Sequence, residues 1–289
     1  MRPFTYVRPT SVAEATGALE GHDGDARVIA GGQSLLLAMK ERIERPSVLV
    51  SLRDVADVSG VSYRDDGTLE IGAATTYWNV QTAEYRTSVH TLLSTVVEDV
   101  ADVPVKRMGT VGGALCQADP IFDFPLAAVV AEAEVEIASS SGSRRLPVSD
   151  FLKGPFTTAL EPGEVLTTIR FPSGAAGART AFVKHRLRRF DPALASVACI
   201  ITVGDDGRIE RARIACGAVG PVPVRVTGAE EFLIGNAIDD ALAREAGEKA
   251  ADSMLEHVGQ KMFRQEYPKD VLPALVARAL SAAYANGKE

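Results

Sequence analysis

Two glycines set between a strand and a helix constrain this chain more than any other feature. Arg27-Val28-Ile29-Ala30 is a short buried strand, and Gly31-Gly32 ends it. Ser34 to Arg42 then carries Leu35, Met39 and Ile43 at helical spacing before Pro46 closes the segment. A glycine pair at this junction permits positive φ and lets the backbone approach a ligand closely. The helix that follows offers unpaired N–H groups and a positive dipole end, which suit a phosphate. An ordinary strand-to-helix turn has the same residues, and the segment is neither G-x-G-x-x-G nor a P-loop. Upstream, Ser11-Val12-Ala13-Glu14 is a capping box for a helix that runs to about Leu19 and stops near Gly21. Val48 to Leu52 is another strand. Such a series favours a small parallel sheet.

From about Val58 the rhythm changes. Val61–Arg64 and Thr68–Ile71 alternate across Asp65-Asp66-Gly67, a hairpin signal. A helical stretch from Asn79 to about Ala101 precedes a glycine-bearing segment, Gly109 to Ala114. Ala133–Ala138 and Arg145–Val148 form a second hairpin, and Val165–Pro172 is a further strand. Ser173-Gly174-Ala175-Ala176-Gly177-Ala178 is small and flexible, the best linker in the chain. Beyond it lie three strand-like runs, Thr180–Arg188, Ala195–Val203 and Arg208–Ala218. Helices follow from about Thr227, clearest at Asp239–Glu256 and Pro268–Asn286. The working division is two domains joined near 173–178.

Composition narrows the function classes. The chain has 289 residues, enough for about two domains, and 46% are apolar. A net charge of −7 argues against sequence-independent nucleic-acid binding, which needs a basic surface. No apolar run approaches the length of a membrane span. The N-terminus lacks the apolar stretch of a secretory signal. Cys116, Cys199 and Cys216 are unclustered and apolar in context, which suits a reducing cytosol. A soluble, acidic, cytoplasmic protein is the expectation. Cys116 reads as a small buried thiol, and His22, His90 and His257 as structural or exposed. Tyr77 and Trp78 read as packing residues, and in Lys184–Arg189 strand alternation turns one half of the side chains to solvent.

Gly109-Thr110-Val111-Gly112-Gly113 is a second glycine turn, followed by Asp119-Pro120-Ile121-Phe122-Asp123-Phe124-Pro125. Two such loops could grip a diphosphate from two sides, with a carboxylate accepting from sugar hydroxyls. Further motifs occur in order: Pro3-Phe4-x-Tyr6, Ala30-Gly31-Gly32-Gln33-Ser34-Leu35, Met39-Lys40-x-Arg42 and Ile71-Gly72-Ala73-x-Thr75-Thr76. After the second glycine turn come Phe156-Thr157-Thr158-Ala159-Leu160, Gly163-Glu164-Val165-Leu166 and Gly217-Ala218-Val219-Gly220-Pro221-x-Pro223-x-Arg225. Over nearly the whole chain this pattern resembles the FAD-binding medium subunit of molybdenum hydroxylases, the carbon-monoxide dehydrogenase and xanthine dehydrogenase group.

The resemblance implies an α+β fold. Residues 1–173 would be a vanillyl-alcohol-oxidase (PCMH)-type FAD domain of two α/β subdomains, about 1–57 and 58–173. Residues 178–289 would be a C-terminal domain with a three-stranded antiparallel sheet and a helix bundle. It also implies noncovalent FAD. Arg27, Val28, Ile29, Ala30, Gly31, Gly32, Gln33, Ser34 and Leu35 would line the diphosphate and adenosine side. Ala101, Gly109, Thr110, Gly112, Gly113, Ala114 and Gln117 would form the second wall. Asp123 would bond a sugar-alcohol hydroxyl, Leu166 would pack near the flavin, and Lys184 would lie near the isoalloxazine ring.

Family members commonly have Asn at the position of Ala114 and often Asn at that of Arg107, while Ala and His are frequent where Cys116 and Gln117 stand. The implied task is electron relay. Substrate would be oxidised at a molybdenum cofactor in a large subunit, and electrons would cross [2Fe–2S] clusters in a small subunit. The flavin would pass them to NAD, a quinone or dioxygen. The implied assembly is a dimer of heterotrimers, and three scattered cysteines cannot hold a [2Fe–2S] cluster here. Two alternatives are a free-standing FAD-dependent oxidoreductase and a flavin-free assembly scaffold.

Overall fold

The computed structural model describes residues 1–22, 24–258 and 266–286; side chains of 255–269, His257 among them, lie outside that description. Strand β1 (Thr5–Val7), helix α1 (Val12–Glu20), β2 (Ala26–Ile29), α2 (Leu35–Lys40) and β3 (Val48–Ser51) open the chain. The three strands form a parallel sheet in the order β1-β3-β2. β3 is buried along its length because alternation serves two faces. Val48 and Val50 pack with Ala15 and Leu19 of α1, while Leu49 packs with Ile29 and Met39. Ser11 Oγ accepts from Glu14 N at 3.2 Å, as a helix cap should. The reciprocal bond of a capping box goes elsewhere, since Glu14 accepts from Thr10 N at 2.7 Å.

After a 3-10 turn at Ala56–Val58 come β4 (Val61–Tyr63), β5 (Leu69–Gly72), α3 (Tyr77–Thr82), α4 (Ser88–Glu98), α5 (Val103–Met108), α6 (Val111–Gln117) and α7 (Asp123–Val130). The expected single helix from Asn79 to Ala101 is therefore two. Thr87 starts the second by accepting from His90 N at 3.3 Å, a cap that ends continuity with α3. Then follow β6 (Glu134–Ser139), β7 (Gly142–Pro147), α8 (Val148–Phe151), the short ladder β8 (Leu152–Gly154) and β9 (Thr157–Thr158), and β10 (Val165–Phe171). The sheet β4-β5-β10-β6-β7 is antiparallel throughout. One face sends Leu69, Ile71, Val135, Ile137, Ile169 and Phe171 into the main core. The other carries alternating charge from Arg64, just past β4, across β5, β10, β6 and β7. Arg64 meets Glu70 at 2.6 Å, Glu70 meets Arg170 at 2.5 Å, Arg170 meets Glu136, and Glu136 meets Arg145 at 3.0 Å.

The segment read as a flexible linker is packed. A Cβ on Gly174 would lie 2.8 Å from Val89 of α4, so its small residues serve close approach. Beyond it, β11 (Ala178–His185), β12 (Ala195–Val203), β13 (Ile209–Gly217) and β14 (Val224–Arg225) form an antiparallel sheet in chain order. Four strands stand where three were expected. The added edge is two residues long, too short for a periodicity signal, and its register places Ala215 against Arg225. Helices α9 (Thr227–Leu233), α10 (Asp240–Val258) and α11 (Glu266–Ala285) complete the chain. Val197, Cys199 and Ile201 of β12 face these helices, whereas Ala198 and Ile200 join the main core. The C-terminal sheet is thus buried on both faces, and its β11 edge runs beside α4. That contact brings Lys184 and Arg186 to Asp99 at the C-terminal end of α4. Among the described residues, no helix is long and apolar enough to cross a membrane.

Candidate cofactor site

The two glycine turns touch. A Cβ on Gly31 would lie 2.1 Å from Met108 O and 2.8 Å from Gly109 Cα, so no larger residue fits between them. Gly32 adopts φ +68°, the left-handed region that glycine enters without cost. Past it, the N–H groups of Gly32, Gln33 and Ser34 have no hydrogen-bond partner among the described residues. Gln33 folds back, donating from Nε2 to Gly31 O at 3.2 Å.

The second turn differs from the loop expected of it. Gly112 and Gly113 lie in the first turn of α6, whose cap is Thr110: its Oγ1 accepts from Gly113 N at 3.1 Å. Glycine reads as loop by helix propensity, but here Gly112 allows contact. A Cβ on it would lie 2.5 Å from Ala73 Cβ. The segment before α3 holds this turn in place. Gly112 N donates to Ala73 O at 2.9 Å, Val111 N to Thr75 O at 3.0 Å, and Tyr77 N to Gly109 O at 2.9 Å. Tyr77 is buried edge-on to Phe124, and burial pushes its phenol above the usual range. Trp78 lies under the Arg107 guanidinium, 4.1 Å from carbon to ring centroid. Both are occupied in packing.

Asp123 and Lys184, 61 residues apart, form a buried ion pair with Oδ2 and Nζ 2.6 Å apart; their side chains are 5% and 2% exposed. Lys184 also donates to Asp99 O at 3.2 Å. Burial pushes the Asp123 carboxyl up to about 6 against the attraction of Lys184. Its other oxygen, Oδ1, is buried with no partner. Neighbouring Ala218 N donates to Pro120 O at 3.2 Å, so the end of β13 abuts the turn that leads into α7.

The remaining expected residues scatter around this centre. Arg27 is exposed at the far end of β2 and donates to Gly24 O at 2.8 Å. Val28, Ala30 and Leu35 are half-buried and Ile29 is buried. Ser34 precedes α2 without a side-chain cap bond. Ala101 adopts φ +41°, and Gln117 is half-buried at the end of α6. Ala114 and Leu166 belong to the main apolar core, each 3% exposed. The methyl of Ala114 therefore packs where an amide would need a buried partner. Cys116 has exposed surface where a buried thiol was expected, yet its surroundings still push the thiol up to about 12, as burial does for Cys199 and Cys216. His90 is structural, bonded to Tyr63 Oη at 3.1 Å and Pro172 O at 2.9 Å.

Sequence reasoning missed Asp99, Lys106 and Arg186. Arg186 pairs with Asp99 at 2.9 Å, and continuing the alternation of β11 one residue past its end puts it on the same side as Lys184, a signal that was available.

Open backbone amides after Gly31 and a buried carboxylate oxygen lacking a donor are features that a phosphate-bearing cofactor with hydroxyl groups would satisfy. Residues 2–174 match the FAD binding domain in molybdopterin dehydrogenase, and residues 180–283 match the CO dehydrogenase flavoprotein C-terminal domain. The chain belongs to the FAD-binding medium subunits of the molybdenum hydroxylases, oxidoreductase components of the CO dehydrogenase and xanthine dehydrogenase type. It is 34% identical to the glyceraldehyde dehydrogenase medium chain of Sulfolobus acidocaldarius, over 92% of this chain and 94% of that one. It is 32% identical to the carbon monoxide dehydrogenase medium chain of Afipia carboxidovorans, over 99% and 98%. Among solved structures, quinoline 2-oxidoreductase from Pseudomonas putida 86 superposes with a TM-score of 0.92 at 33% identity, covering 100% of this chain and 99% of that chain.

The residues present fit FAD. The free amides after Gly31 suit its diphosphate, and Asp123 Oδ1 lacks the donor that a sugar hydroxyl supplies.

Proposed function

We propose that this chain binds FAD noncovalently between its two glycine turns and relays electrons from the [2Fe–2S] clusters of a small subunit to an external acceptor. Substrate oxidation belongs, in this reading, to a large subunit carrying the molybdenum cofactor, and the assembly is a dimer of heterotrimers in the cytoplasm. The observation that carries it is the contact of Gly31 with Met108 and Gly109 beside unpartnered amides. The cofactor domain is residues 1–173, of PCMH type with subdomains 1–57 and 58–173, and residues 178–289 form the C-terminal domain.

Gly31, Gly32, Gln33 and Ser34 hold the diphosphate by backbone donation, and Gly109, Thr110, Gly112 and Gly113 form the facing wall. Arg27–Ala30 and Leu35 border the adenosine side, while Ala101, Ala114, Gln117 and Leu166 shape the floor by backbone and packing. Asp123 accepts from a hydroxyl through Oδ1. Lys184, held by Asp123, would place positive charge where reduction of the ring adds negative charge. FAD, when bound, supplies the exchange between one-electron and two-electron carriers. NAD, a quinone and dioxygen are the acceptor classes that suit an exposed flavin edge.

The test is assembly with the two partner subunits. Substrate should bleach the visible flavin band only when both are present. Bleaching of the isolated, FAD-loaded chain by substrate would instead make it a free-standing oxidoreductase.

A further inference from the structure

Three cations converge on the C-terminal end of α4. Lys106 Nζ donates to Glu98 O at 2.6 Å and to Gln81 Oε1 at 3.2 Å. Lys184 Nζ donates to Asp99 O at 3.2 Å. Arg186 reaches the same carbonyl from Nη1 at 3.5 Å and the Asp99 carboxylate from Nη2 at 2.9 Å. Helix ends do leave carbonyls unpaired and favour positive charge. Burying two lysines, however, costs far more than capping a helix end returns. Lys106 is 7% exposed, and burial lowers its ammonium against the pull of Glu98 and Asp99. Helix capping alone does not account for the arrangement.

What these contacts hold lies just downstream. After Asp99 the chain reverses through Ala101, whose φ of +41° is unfavourable for a residue with a Cβ. Asp102 then caps α5, accepting from Val105 N at 3.1 Å, and α5 ends at Met108, against Gly31. The reversal therefore feeds through α5 into the second glycine turn, which the segment before α3 holds from its other side. The reversal is pinned from outside its own segment by Arg186, just past β11 and 87 residues from Asp99 in sequence.

We infer that Arg186 is a positioning residue for the cofactor site: by gripping Asp99 it fixes the Ala101 reversal and, through α5, the spacing of the two glycine turns. This rests on the FAD reading above. Arg186 and Asp99 are 21% and 37% exposed, so removing either strands no buried charge, and the variants should fold. Lys184 has the opposite property, since its loss would strand Asp123.

The experiment titrates FAD into the full chain and into Arg186→Met, Asp99→Ala, the double variant and Asp99→Asn. Flavin fluorescence gives Kd, induced circular dichroism of the bound flavin reports its setting, and melting without FAD reports the fold. Arg186→Met and Asp99→Ala should each raise Kd by about tenfold, the scale of a lost charge-assisted bond. The double variant should be no worse than either single one, and the flavin dichroism should change alike in all three. Asp99→Asn keeps the acceptor and should stay within about twofold of wild type. Should Arg186→Met fail to fold, the two Asp99 variants decide the matter. Unchanged Kd in the variants, or additive losses, would overturn the role of Arg186 while leaving FAD binding intact. A wild-type chain that binds no FAD would instead refute the reading beneath.

Discussion

Replacing Lys184 by Met should produce a pH-dependent loss of stability, because it removes the cation from a carboxylate that is 5% exposed. In the wild type, burial pushes Asp123 from 3.8 up to about 6. The folded protein thus holds this proton more tightly than the unfolded chain does. Stability from this group is fully present below pH 3.8, falls as pH climbs through the window from 3.8 to about 6, and levels off above it. Without Lys184 the carboxyl rises further, and the fall continues to higher pH. The deficit of the variant should then grow by about 1.4 kcal/mol for each pH unit above 6, until its own shifted pKa is reached. By about pH 8 it should come to about 3 kcal/mol, the lower end of the range for a broken buried pair. Urea unfolding of the FAD-free chain at about pH 5 and about pH 8 reads this directly. Adding Asp123→Asn should flatten the pH dependence. A deficit equal at both pH values, or one that Asp123→Asn leaves unchanged, would refute the reasoning.

Other substitutions address separate parts of the account. Gly31→Ala places a methyl 2.1 Å from Met108 O, a contact only backbone movement can relieve, so FAD retention on desalting should be lost while most of the fold remains by far-ultraviolet circular dichroism. Thr110→Val removes the bond to Gly113 N, and should cost about 1 kcal/mol of stability with a smaller drop in FAD affinity, read by melting and titration. Arg170→Met takes the central cation from the charge ladder and leaves Glu70 and Glu136 with one partner each. It should cost about 3 kcal/mol by urea unfolding, without changing the FAD Kd.

The parts of this molecule that could be read in the sequence are those whose cause is local. Gly31-Gly32 declared a strand-to-helix turn because Val28-Ile29-Ala30 is apolar and Leu35–Lys40 has helical spacing, both within a dozen residues. Ser11 and Gly21 marked the ends of α1 for the same reason. The second turn was harder, since Gly112 and Gly113 weaken a helix by propensity and are required by packing on Ala73 and by the cap from Thr110. Thr87 broke a helix that hydrophobic spacing alone would have continued. What spacing could not convey was pairing across the chain. Asp123 with Lys184 and Asp99 with Arg186 are set by α4 and α7 packing against the C-terminal sheet. The family pattern marked Asp123 and Lys184 individually, and the fold joined them. Arg186 and Asp99 carried no such mark.

The central claim is that two touching glycine turns hold one FAD without a covalent bond. The most direct measurement is the absorption spectrum of the purified chain after incubation with FAD and removal of free flavin, followed by acid precipitation. The account predicts flavin bands at about one FAD per chain, all released to the supernatant by acid, as a site of backbone donors requires. A colourless protein after reconstitution, or flavin that stays with the precipitate, would contradict it.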